Sequence, residues 1–534
     1  MINVTSDSHF IYISGTSSIR HLMTDYFDAV YVKTKKCWRL PKNHWVCSEL
    51  WKEFPEIRKS RNFLQIGMEC KRQYDELVAL RQTSMELEGL RPYQAEDVSY
   101  LIRLEAGGIF NEPRTGKTPI SITLVRLIGG DQNLVICPAS LVPNWKREVE
   151  KWYPEGVDKV TVVSKDYLKG HLNDYLKDWD VVIVDEAHFL RNFKTLQSKA
   201  VFKVGKKAKR RYALTGTPAI NHASDVIPIL MFLYPNHYPS YWQVVDRYFN
   251  KYEVPYKPAP ELGDVKKHRE NEFRGIVEMV SVQRKRREVM RWLPEKQYVT
   301  LECEMDAKQR KLYKQMKEEF IAMIEDNVQI ADGDLSKWSE ALESEHVVHA
   351  STELVQLIRL RQLALDPRLL GFDVVGAKTK LILDYLENVR EPIVIMSMFT
   401  SYLKMLGQDI EKKLKLKVDY IHGQMSNKDK DRAVTEFQEG KVDVLLCNII
   451  SAGVGFTLDR SNKVLFSDRA WTPAENEQAE DRVCPTSEER NHSHFVIDVV
   501  CNDSVDQRLH KILLQKKSLT DIINEGRQSI INLL

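Results

Sequence analysis

The stretch GGIFNEPRTGKTPISITLV, residues 107–125, decides the fold. GGIF reads as a short buried strand, NEPRTG as a loop, and KTPISITLV as a helix. Gly116, Lys117 and Thr118 fall where the loop turns into that helix. Backbone N–H groups at a helix N-terminus, together with the helix dipole, favour an anion there. In such a site Thr115 and Gly116 cradle phosphate, Lys117 reaches the β- and γ-phosphates, and the Thr118 hydroxyl takes Mg2+. The tripeptide alone is weak, because an ordinary helix opened by glycine reads the same way. The first glycine of the G-x-x-x-x-G-K-[ST] pattern is also replaced, by Asn111.

A second stretch strengthens the reading. DVVIVDEAH, residues 180–188, is an apolar strand ending in Asp185 and Glu186, 68 residues after Lys117. Open α/β sheets bind ligands at the carboxyl edge of their strands. There Asp185 can hold the Mg2+ shell, and Glu186 can orient or deprotonate an attacking water. Two acids closing a strand would otherwise be a solvated turn. Their combination with the GKT loop predicts a Mg2+-dependent nucleotide triphosphatase.

Outward from these motifs, short apolar runs recur at residues 107–110, 134–137, 160–163, 181–184 and 211–214, then again at 393–398, 418–421, 444–447, 464–466 and 495–500. Continuous rather than alternating runs, with helical segments between, predict parallel strands buried on both faces. The fold class expected is α/β: two parallel-sheet lobes at residues 81–235 and 376–500. A helical insertion is expected at 236–375, a small α+β domain at 1–80, and a C-terminal helical brace at 501–534. The chain has 534 residues, too many for a single core and enough for three or four units. Its net charge of +3 excludes a globally basic binder but leaves room for a local basic track. No apolar stretch is long enough to cross a bilayer, and no signal segment is read at the N-terminus. The eight cysteines form no C-x-x-C pair, which excludes a zinc ribbon and suggests free thiols in a reducing compartment.

With these motifs in order, the chain resembles helicase superfamily two, and within it the Swi/Snf-type DNA translocases. LRPYQ, residues 90–94, resembles the adenine-side motif, which would put Arg91 and Gln94 at the nucleotide. LVICPASLVPNWKREVEKW, DEAHFLRN, ALTGTPAIN, VQRKRREVMRWLPEK, LIRLRQLALDPRLL, IVIMSMFT, IHGQMSNKDKDRAVTEF, NIISAGVGFTL and WTPAENEQAEDR also match, in the family's order, over most of residues 88–500. The resemblance implies two RecA-like lobes that close on ATP and move along double-stranded DNA, with a monomer expected. It places Ser140, Trp145, Arg191, Asn192, Thr215, Gly216, Gly423, Ser451 and Ala452 at nucleic acid. It places Gly453, Gly455, Gln478 and Arg482 on the second lobe's face of the ATP site, with Arg482 as the arginine that stabilises the transferring phosphoryl. His188 is expected to relay between the two sites.

Three departures stand out. NEPRTGKT replaces the family's acidic residue followed by Glu-Met-Gly-Leu-Gly-Lys-Thr, so that Asn111, Pro113, Arg114 and Thr115 differ. The last motif continues Asp481-Arg482-Val483-Cys484-Pro485, with Pro485 where the family has a second arginine. Finally, no chromodomain, bromodomain or nuclease signature is found. That compactness suggests the cytoplasm of a bacterium or a virus-infected host rather than a nucleus.

Residues 20–57 resemble the HARP-type substrate-recognition domain of annealing helicases, on an aromatic and acidic helix, the lysines Lys33, Lys35 and Lys36, and a strand beginning at Trp38. That resemblance implies branched DNA as substrate, with Lys36 and Trp38 at the junction and basic and aromatic side chains interleaved for phosphate and stacking contacts. Tryptophans that are simply core remain the alternative. The basic runs at 203–211 and 284–287 adjoin nucleic-acid motifs and are expected to touch phosphate, whereas the run at 411–417 is expected to be a solvated face. The function expected is an ATP-dependent translocase that remodels branched DNA. A DNA-annealing or bridging protein with a weakened motor, a strand-separating helicase acting on DNA or RNA, and a restriction-system motor stay open beside it.

Overall fold

The computed structural model describes residues 2–15, 20–219, 222–253, 260–292, 296–325, 353–452, 456–483 and 493–514. Every apolar run named above falls on a strand, with Phe110 and Met398 one residue past the ends of theirs. The first strands, β1 (Asn3–Ser6), β2 (Phe10–Ser14), β3 (Val30–Val32) and β4 (Cys37–Pro41), form an antiparallel sheet in the order β1-β2-β4-β3. The helices His44–Glu53 and Arg61–Leu80 follow it. The core of this α+β domain holds Ile11, Ile13, Phe27, Trp38, Leu40, Leu50, Phe54 and Phe63.

The first parallel sheet contains β5 (Ala106–Ile109), β6 (Asn133–Cys137), β7 (Val160–Ser164), β8 (Trp179–Val184) and β9 (Ala208–Leu214). Its strand order is β12-β5-β9-β8-β6-β7, where β12 is Ser281–Val282. Parallel strands present all their carboxyl ends along one edge. Because β5, β9, β8 and β6 are successive neighbours, the loops after them are set side by side. Residues 110–116, 215–218, 185–188 and 138–140 thereby share one rim.

The second parallel sheet contains β13 (Lys296–Cys303), β14 (Ile393–Ser397), β15 (Val418–Ile421), β16 (Val444–Asn448), β17 (Lys463–Phe466) and β18 (His494–Cys501), ordered β13-β18-β17-β14-β16-β15. Its central strand β14 is buried along its whole length, as the unbroken run Ile-Val-Ile-Met-Ser requires.

The chain divides into two units, residues 1–289 and 290–534. This corrects the helical insertion expected at 236–375. Helices are present (Tyr241–Tyr248, Glu270–Met279, Ala307–Glu325, Glu353–Leu365), but so are an antiparallel ribbon of β10 (Phe249–Tyr252) with β11 (Glu261–Val265), and the strands β12 and β13. β12 adds to the first sheet and β13 to the second, so the segment is shared between the units. Charged helical stretches hid these strands, of which β12 is two residues long and β13 eight. The C-terminal helix Val505–Leu514 packs on the second unit, where Lys378 Nζ lies 2.5 Å from Asp506 Oδ2 and the Tyr313 hydroxyl accepts from the Val505 N–H at 2.7 Å.

Candidate functional site

The loop after β5 closes on a left-handed Gly116 (φ +81°), which caps the helix Lys117–Ile128. A Cβ at Gly116 would collide with Gln94 Nε2, so only glycine fits the turn. Arg114 is also left-handed, at φ +66°. The loop is tied from outside. The Gln94 amide donates to the Thr115 carbonyl at 3.0 Å, and the Tyr93 hydroxyl donates to the same oxygen at 2.7 Å. Lys117 Nζ donates to the carbonyls of Asn111 (3.0 Å) and Glu112 (3.4 Å), which it must leave to meet a phosphate. Behind the loop, Asn111 Nδ2 donates to Asp97 Oδ2 at 2.8 Å, while Arg284 Nε donates to Asp97 Oδ1 at 2.9 Å.

At the end of β8, Asp185 is buried. Its Oδ1 accepts the Glu186 N–H at 2.9 Å, and its Oδ2 accepts Trp145 Nε1–H at 2.8 Å. Burial, with the Glu186 charge beside it, pushes the Asp185 carboxyl up to about 6, against the pull of the Trp145 hydrogen bond and Lys117. Glu186 takes a left-handed φ of +50°, a strained placement for a non-glycine residue at a strand end. His188 Nδ1 stands 3.2 Å from Glu186 Oε2 and 3.3 Å from Thr215 Oγ1, so a single ring nitrogen is within reach of the residue after β8 and of the residue after β9 and can bond to one of them at a time. Gly216 lies so close to the phosphate loop that a Cβ there would meet Pro113 Cδ at 2.9 Å. The half-buried Thr118 hydroxyl and the Asp185 carboxylate are a hard-oxygen donor set suited to Mg2+.

In the second unit, Ser451 sits in the short helix Ile449–Ala452, with its N–H donating to Asn448 Oδ1 at 3.3 Å. Gly423 is exposed in the turn before the helix Asn427–Gln438. Gln478 and Arg482 lie half-buried on the helix Pro473–Val483. Lys296 Nζ anchors that helix on Glu480 (2.8 Å) and Asp481 (2.9 Å). Gly453, Gly455, Cys484 and Pro485 fall outside the described residues.

A family model described as SNF2-related domain matches residues 162–369, and one described as Helicase conserved C-terminal domain matches residues 377–484. The chain therefore carries the two domains of a Swi/Snf-type helicase, an SNF2-related domain followed by a helicase C-terminal domain. A provisionally named ATP-dependent helicase/translocase of Bacillus subtilis (strain 168) is 25% identical over 83% of this chain and 50% of its own length. A SWI/SNF-related matrix-associated actin-dependent regulator of chromatin, subfamily A-like protein 1, of Xenopus tropicalis is 25% identical over 76% and 42%. A DNA annealing helicase and endonuclease of Bos taurus is 23% identical over 82% and 41%. This Swi/Snf-type chain thus spans half or less of the length of these relatives. A Sulfolobus solfataricus SWI2/SNF2 ATPase core in complex with double-stranded DNA is 24% identical, covering 82% of this chain and 93% of that one, at a TM-score of 0.37.

Several residues expected at ligands serve the Swi/Snf-type scaffold instead. Trp145 is 1% exposed and bonded to Asp185, so it cannot reach nucleic acid directly. Thr215 is 0% exposed, and its hydroxyl lies against His188 and accepts the Thr217 N–H at 3.1 Å. Gln94 spends its amide on backbone partners, supporting the phosphate loop rather than offering itself to a base. The buried Thr115 turns its hydroxyl to the Glu112 carbonyl at 2.7 Å, which leaves the loop backbone to face phosphate. Trp38 is core, its ring tilted at 59° against Tyr31, whereas Lys36 is exposed in the β3–β4 turn. Two arginines of the basic runs are structural too: Arg211 is buried on the carbonyls of Leu233, Gly205 and Ala208, and Arg284 pairs with Glu96 and Asp97, whereas Lys203, Lys206, Lys207, Lys285 and Arg287 are exposed. Ser140, Arg191 and Asn192 do lie on the rim surface. Sequence reasoning misses Asp97 and takes Arg284 only as part of a basic run, because nothing in an acid of a helix and an arginine 187 residues later announces that they meet.

Proposed function

We propose that this protein is an ATP- and Mg2+-dependent motor moving along double-stranded DNA, with branched DNA as its preferred substrate. The observation that carries the motor reading is the Glu186–His188–Thr215 chain, set beside a Gly116 loop built for phosphate. In this reading Lys117 leaves the Asn111 and Glu112 carbonyls for the phosphates, while Thr118 and Asp185 hold the cation. Bound Mg2+ neutralises charge on the β- and γ-phosphates. Glu186 orients the attacking water and accepts its proton, and His188 reports the state of Glu186 to Thr215 and the loop it begins. The exposed lysines Lys33, Lys35 and Lys36, turned outward beside the exposed Tyr31, support a phosphate-and-stacking surface on the N-terminal domain.

The test is an ATPase titration with duplex, single-stranded and forked DNA and with RNA, beside Lys117→Ala. The motor reading expects duplex stimulation that Lys117→Ala abolishes; stimulation by RNA alone or by single strands alone refutes it. Deleting residues 1–80 would orphan the buried charges described below. The branched-DNA reading is therefore tested with Lys33, Lys35 and Lys36 all changed to Ala, which should erase a preference for forks over plain duplex and spare duplex stimulation.

A further inference from the structure

The helix Val142–Trp152 has two unlike faces. Inward it buries Trp145 and Val149; outward it exposes Lys146 and Arg147, immediately after Trp145 in sequence. The helix begins just past the Ser140 rim, at the carboxyl end of β6, and so lies next to the β8 end that carries Asp185. Among the described residues, the indole Nε1–H of Trp145 is the side-chain donor that meets Asp185, at 2.8 Å. The other carboxylate oxygen is held by the Glu186 N–H. These two donors fix the plane of the carboxylate and leave one lone pair of each oxygen for a cation. A hydrogen bond to a buried charged group is short-ranged and directional, so a small shift of the helix turns the carboxylate with it.

We propose that Trp145 is a positioning residue: it converts occupation of the outward Lys146–Arg147 face by a polynucleotide into the orientation of Asp185 that binds the nucleotide's cation. The proposal rests on the motor reading above but adds to it a second line of coupling, separate from the one through His188. One line reaches the water-activating Glu186 from β9; the other reaches Asp185 from the helix after β6. Polynucleotide contact on one rim then acts on both carboxylates together.

The experiment compares wild type, Trp145→Phe and Val149→Ala. Trp145→Phe keeps an aromatic ring and removes the donor; Val149→Ala loosens the same helix from a buried position that carries no bond to Asp185. Two quantities are read: the ratio of ATPase with and without saturating duplex DNA, and the gain in affinity for a fluorescent ATP analogue on adding Mg2+, measured as binding without turnover. Trp145→Phe should shrink the Mg2+-dependent gain about tenfold, the scale of one lost bond to a charged group, and bring the stimulation ratio towards one. Val149→Ala should keep both near wild type despite lower stability. Wild-type values in Trp145→Phe overturn the proposal, as does equal loss in Val149→Ala. If Trp145→Phe does not fold, benzothienylalanine at position 145 keeps the indole outline without the N–H and answers the same question. A wild-type protein that duplex DNA does not stimulate would instead sink the motor reading.

Discussion

Arg269 Nε donates to Asp28 Oδ2 across 3.0 Å, joining two residues 241 apart in sequence and locking the N-terminal domain to the segment after the first sheet. The same guanidinium reaches Glu49 and the Tyr26 carbonyl. Beside it Arg247 donates to both Glu272 oxygens (3.3 and 2.8 Å) and to the Phe27 carbonyl (2.6 Å). Burial would raise the Glu272 carboxyl; Arg247 and Arg269 outweigh it and hold the group below its usual value.

Removing one member of such a buried network leaves a charge with no partner. Glu272→Ala should cost about 3–5 kcal/mol of unfolding free energy, read from urea denaturation. A loss within a few tenths of a kcal/mol would mean that the network is not formed in solution.

The same interface carries a pH dependence. His9 Nδ1 and His237 Nε2 lie 3.2 Å apart, with Asp7 and Glu105 as the nearby acids. Burial, helped by His9, pushes His237 down to about 4 from its ordinary 6.5. Between those values the unfolded chain binds a proton that the folded chain refuses, so stability rises with pH there. Acidifying from pH 7 to pH 4 should therefore cost up to about 3 kcal/mol from this residue. His237→Gln should flatten that part of the profile, as measured by melting temperature against pH.

Asp97 holds the phosphate loop from behind through Asn111 while neutralising Arg284. Asp97→Asn should turn an amide N–H towards the Asn111 amide and loosen the loop. The apparent KM for ATP should then rise about tenfold, with a smaller fall in kcat, since a bond to a charged group is lost without touching the reacting atoms. A fall confined to kcat would assign Asp97 another role.

Periodicity and motif order made the two sheets and their carboxyl rims legible, because parallel strands buried on both faces leave unbroken apolar runs and the motifs close those runs. What stayed hidden was set by side-chain direction. Trp145 sits one residue before exposed Lys146, yet helical spacing turns it inward to Asp185. Arg211 closes a basic run but points from β9 into the core, because strand positions alternate. Trp38 could be core or contact until its packing was known. Edge strands such as β12, two residues long, carry too little pattern to be seen.

Arg114 shows the reverse case, a departure in sequence that keeps a backbone suited to glycine. It occupies the place of a glycine in the family's loop and still takes φ +66°, so the loop imposes the left-handed turn on a residue that disfavours it. Side-chain loss and backbone strain can be separated by two substitutions at this one position. Arg114→Ala removes the guanidinium and keeps the strain; Arg114→Gly removes both. The Gly variant should therefore be more stable than the Ala variant by about 1 kcal/mol, read as a difference in urea midpoints at equal slope. The order should hold whatever contacts the arginine itself makes, since both variants lack them. Equal midpoints, or Ala above Gly, would show that the loop relaxes out of the left-handed region in solution, and the cradle at Gly116 would then have to form on nucleotide binding.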